Sequence, residues 1–117
     1  MTKFARLLLA TIARLEAEFA DSVPPPAVFA KGQDLRCTAR KRRAAAGWQY
    51  QKRKHLGPRV SDILGALGTD SHDETVRKRV ARTLARLESD GLVDRSGTGM
   101  HLNHVMLTDA GRKALQP

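Results

Sequence analysis

Apolar side chains recur at helical spacing near the start of the chain: Phe4, Leu8, Ile12, Leu15 and Phe19, reinforced by Leu7. That period predicts an amphipathic helix of about five turns over residues 3–20. Its apolar stripe needs a cover, supplied either by the rest of the chain or by a second copy. Pro24, Pro25 and Pro26 end the helix, because proline cannot continue one and turns the residue before it away from helical geometry. Between residues 27 and 57 the pattern weakens. Alanines and arginines favour a helix within residues 34–46, and no strand is expected there.

From Pro58 the signals sharpen. Val60, Ile63, Leu64 and Leu67 share one face of a short helix that Gly68 closes. After a tight link, Ser71 to Glu74 reads as a capping box, so a new helix begins there and runs to about Ser89, where Gly91 supplies a left-handed stop. Strand character returns at 92–95, a glycine-bearing turn follows at 96–99, and residues 100–108 alternate enough to form the return strand. Thr108 then caps a last helix over 109–115. The predicted fold is mainly α with a small β-hairpin (α+β), divided into an N-terminal segment, 1–57, and a domain, 58–117, that together form one compact unit.

The helix beginning after residue 71 is two-sided. At about 100° per residue, Val76, Val80, Leu84 and Leu87 fall within an arc of about 80°. Thr75, Lys78, Arg79, Arg82 and Arg86 fall within about 100° centred opposite. One face packs and the other is cationic, with the acids Asp73, Glu74 and Glu88 outside the cationic set. Helix, tight turn and a second helix with an exposed basic face is helix-turn-helix order, which sets the second helix into the major groove of DNA. Arg79 and Arg82 are the expected guanine or phosphate contacts, with Thr75 and Lys78 next and Arg86 reaching phosphate.

Charge adds a second element. The formal net charge is +9. Cations and acids balance before residue 36 and after residue 59, so the whole excess lies in 36–59, which holds Arg36, Arg40, Lys41, Arg42, Arg43, Lys52, Arg53, Lys54 and Arg59 and no acid. Such a block repels itself unless it lies against a polyanion. Arg40, Lys41, Arg42, Arg43, Lys52, Arg53, Lys54 and Arg59 are therefore expected phosphate contacts, while Trp48 and Tyr50 between the two clusters serve packing first and base stacking second.

The stretch "VARTLARLESDGLVDRSG" followed by "LTDAGRKAL" resembles the winged helix-turn-helix domain of MarR-like and PadR-like bacterial regulators. The resemblance covers residues 58–115 and is specific for the fold, not for one family. It implies a recognition helix bearing Thr75, Lys78, Arg79 and Arg82, and a wing that brings Arg95, Thr98 and His101 to the backbone or minor groove. Residues 1–57 match no regulator family. The expected partner is double-stranded DNA, with structured RNA or a protein partner as the competing readings. A homodimer through the N-terminal helix is the expected assembly.

Other chemistry finds little support. Cys37 is the only cysteine, which fits a reducing compartment. The run from Leu7 to Ala13 is short for a signal peptide and is followed at once by charge, so a cytoplasmic protein with no membrane partner is expected. His101 and His104 are three apart in a predicted strand and point to opposite faces, and Cys37 with His55 makes only two ligands, so no metal and no other cofactor is expected. Without GxSxG, HExxH, GxxxxGK[ST] or GxGxxG, no catalytic residue is assigned.

Overall fold

The computed structural model describes residues 1–21, 53, 54, 56–68, 73–96 and 104–116. Their elements run in the order α1 (Lys3–Asp21), α2 (Val60–Ala66), α3 (Glu74–Ser89), β1 (Val93–Ser96), β2 (His104–Leu107) and α4 (Asp109–Ala114). The chain is thus mostly helical with a small two-stranded antiparallel hairpin. The helix expected within 34–46, the aromatic pair Trp48 and Tyr50 and the turn at 97–99 lie outside the described residues.

The Thr2 hydroxyl begins α1 by accepting the Ala5 N–H at 3.1 Å. One side of the helix then buries Ala5, Leu8, Leu9, Ile12 and Leu15. Their cover is the chain itself: they share one core with Ile63 and Leu64 of α2, Val80, Leu84 and Leu87 of α3, Val93 of β1, and Val105 and Leu107 of β2. Full burial of Leu8, Leu9 and Ile12 stabilises the fold by about 1.5–3 kcal/mol each. Of the stripe, Phe4 and Phe19 are half-buried against this core and Leu7 is 49% exposed. The core draws on residues both before and after residue 57.

Polar groups fix where α3 starts and stops. The cap is Asp73, whose carboxylate accepts the N–H groups of Thr75 and Val76 at 3.0 and 3.3 Å, and Glu74 is the first helical residue. That corrects the capping box expected from Ser71. At the other end Gly91 takes φ +76°. Its N–H donates to the Glu88 carbonyl and that of Leu92 to the Leu87 carbonyl, the paired bonds of a Schellman turn, which aims the chain directly into β1.

The hairpin pairs Val93 with Leu107 and Ser96 with His104. The outer edge of β2 is not left open. The Val105 N–H donates to the Pro58 carbonyl at 2.9 Å, and the Leu107 N–H donates to Glu16 Oε1 at 2.8 Å. This approach requires Gly57: its φ is +91°, and a Cβ there would stand 2.2 Å from the Val105 carbonyl oxygen. Covering the edge removes a template for pairing with another chain. Thr108 caps α4 as expected, accepting the Gly111 N–H at 3.0 Å. Among the described residues, no helix is long and apolar enough to cross a membrane.

Candidate nucleic-acid interface

With Val80, Leu84 and Leu87 buried, α3 presents Thr75, Lys78, Arg79, Arg82 and Arg86 to solvent. Lys78, Arg82 and Arg86 make no ion pair with any described residue. A phosphate or a guanine edge would therefore meet full cations there. The five do not share one environment, because α3 is flanked on two sides.

On the side toward the hairpin lies a groove of about 360 Å3 among α2, α3 and β1. Arg77 and Lys78 of α3 and Arg95 of β1 line it, against the single acid Glu74 and a floor of Val60, Leu64 and Leu84. Lys78 and Arg95, assigned to helix and hairpin separately, thus border one depression. Arg77 belongs to the same border and was not among the expected contacts. By angle it falls about 200° from Thr75, beside the apolar arc, yet it is exposed. A long side chain can leave the edge of a core and carry its charge outward. The small Ala81 one turn later, which also lines the groove, was the available signal.

Toward α1 there is a larger hollow of about 590 Å3, lined by Thr2 and Ala5 of α1 and by Arg82, Thr83, Arg86 and Asp90. Arg79 borders this side too, and its guanidinium carbon sits 4.0 Å from the centre of the Phe4 ring. Arg79 therefore rests on α1, whereas Arg82 and Arg86 line the hollow and pair with no described acid.

The basic segment divides. Arg53 points inward: Nε lies 2.9 Å from Asp62 Oδ2 and Nη2 lies 3.3 Å from Oδ1, in a two-pronged pair whose side chains are 27% and 20% exposed. The same carboxylate accepts the Arg59 N–H at 2.8 Å. Arg53 is also 5.9 Å from the Phe19 ring. It was expected on phosphate and instead ties residues 53–59 to the first turn of α2. Lys54 is exposed and Arg59 half-buried, with the Arg59 backbone in a bridge to His104. Arg40, Lys41, Arg42, Arg43 and Lys52, like Thr98 and His101 of the expected wing, lie outside the described residues.

His104 has a structural role. Its side chain is fully buried and Nδ1 lies 2.9 Å from the Gly57 carbonyl, so Nδ1 carries the proton and Nε2 faces the interior without a partner among the described residues. Among the described residues no three His, Cys, Asp or Glu side chains are placed to hold a metal ion. Compared with family models, curated proteins and solved structures, the chain shows no significant match to any.

Proposed function

We propose that this chain is a sequence-specific double-stranded DNA-binding protein of winged helix-turn-helix type, acting as a small transcriptional regulator. The observation that carries the reading is the exposed face of α3, with Thr75, Lys78, Arg82 and Arg86 open to solvent and a groove on its hairpin side bordered by Arg77, Lys78 and Arg95. In this reading α3 enters the major groove, where an arginine fork pairs with guanine and a threonine serves either base type. Arg95 at the foot of the hairpin meets the backbone alongside Arg77 and Lys78. The basic segment adds contacts that depend on salt and not on sequence.

Selection from a random duplex pool at about 150 mM salt, with structured RNA as competitor, tests this, since non-specific cationic binding is already weak there. An enriched motif that disappears on Arg82→Ala is the expected result. Binding without a motif, displaced by the RNA, would overturn it in favour of an RNA-binding role for the basic segment.

A further inference from the structure

Arg79 differs from the other cations of α3. Among the described residues it is the one cation of this helix that lies over an aromatic ring, with its Cζ 4.0 Å from the Phe4 centroid. That is the distance of a face-on stack, within the range where a ring attracts a guanidinium. Phe4 is itself half-buried and packed against the core. It rides on a helix whose next turns bury Ala5, Leu8, Leu9 and Ile12, so the platform under Arg79 is rigid. Arg79 stays exposed and is paired with no described acid.

We infer that Phe4 is a positioning residue for Arg79, holding its guanidinium flat so that the donors along its edge meet nucleic acid already oriented. This rests on the reading of α3 as a duplex-DNA-binding helix. The chemistry favours such a role. A stack occupies the face of the guanidinium and leaves the five N–H donors in its plane, the ones that make two-pronged bonds to guanine or phosphate, unused. A long side chain ordered before binding loses less freedom on binding. The N-terminal helix, which by sequence lies outside the DNA-binding half, thereby acts on recognition through one side chain.

The test uses the full chain and the duplex it selects. Phe4→Leu removes the ring and keeps an apolar side chain. Phe4→Tyr keeps the ring. Arg79→Ala removes the cation, and the double variant closes the cycle. The expected result is an affinity loss of about two- to fivefold for Phe4→Leu, the strength of an exposed cation–ring contact. Phe4→Tyr restores wild-type affinity, and Phe4→Leu changes nothing further once Arg79 is alanine. Urea midpoints accompany each variant, and Phe4→Met replaces Phe4→Leu if the latter is unstable. A selected duplex bound equally well by Phe4→Leu overturns the positioning role alone, as does an undiminished loss in the Arg79→Ala background. A wild-type protein that selects no duplex overturns the DNA reading and the positioning role with it.

Discussion

Glu16 offers the sharpest test of how α1 is joined to the hairpin. One carboxylate oxygen accepts the Leu107 N–H at 2.8 Å, and the other lies 2.9 Å from the Arg112 guanidinium. The two interactions differ in weight. The Glu16 side chain is 12% exposed but that of Arg112 is 52% exposed, so the ion pair is largely screened and stabilises by about 0.5 kcal/mol. The hydrogen bond is another matter, because a partly buried backbone donor at the edge of β2 has a charged acceptor. Such a bond contributes about 1.5–3 kcal/mol, and an orphaned N–H costs about as much. Glu16→Ala should therefore destabilise the protein by about 2–3 kcal/mol, nearly all of it through Leu107. Glu16→Gln retains an oxygen for Leu107 and should cost about 1 kcal/mol, while Arg112→Ala should cost less than about 1 kcal/mol.

Urea unfolding followed by far-UV circular dichroism measures all three, and equal m-values license the comparison. Hydrogen exchange adds the local readout, with the Leu107 amide losing protection in Glu16→Ala before its neighbours do. The reasoning is refuted if Glu16→Ala costs no more than Arg112→Ala. In that case the carboxylate would be a surface charge and the edge of β2 would be held by Pro58 alone.

Three further outcomes follow from single interactions. Gly57→Ala combines a left-handed φ with a Cβ 2.2 Å from the Val105 carbonyl oxygen, and should lower the urea midpoint more than Glu16→Ala does, since residues 57–59 must leave the hairpin. Arg53→Ala leaves the Asp62 carboxylate half-buried without its guanidinium; it should cost about 1–2 kcal/mol in urea unfolding while leaving the salt slope of DNA binding unchanged. Lys78→Ala with Arg95→Ala should do the reverse, keeping stability within about 0.5 kcal/mol and lowering the slope of log K against log salt by about 0.9 for each phosphate that is no longer neutralised.

What the sequence disclosed and what it hid divide along physical lines. Helical periodicity announced α1 and the buried arc of α3 because burial on one face leaves a period in the chain. The same period cannot say what covers the face. The stripe from Phe4 to Phe19 was equally suited to a second copy, and only the packing of Leu8, Leu9 and Ile12 shows that the chain itself covers these three. Assigning one cationic face opposite the apolar arc assumed that α3 touches the protein on one side. It touches on two, so Arg79, still exposed, rests on the Phe4 ring of α1, and Arg77 emerges beside the hairpin. Arg53 was counted with phosphate-binding cations because its segment contains no acid, but its partner Asp62 sits nine positions on. Glu16 and Leu107 are 91 positions apart, and no local rule connects them.

The placement of Arg53 changes the electrostatic picture as well as the packing. A block of like charges without acids costs free energy when it is held compactly. Here the block's final turn is fixed to the domain by three bonds that do not use its remaining cations: Arg53 to Asp62, the Arg59 N–H to Asp62, and the Val105 N–H to the Pro58 carbonyl. One acid on α2 therefore anchors the segment, and the cation it neutralises is withdrawn from any polyanion. Folding thus draws on Arg53, and the proposed polyanion binding is left to other cations of the segment. Raising the salt concentration should accordingly weaken the proposed grip on a polyanion while the part-buried Arg53–Asp62 pair, screened less, keeps the segment in place.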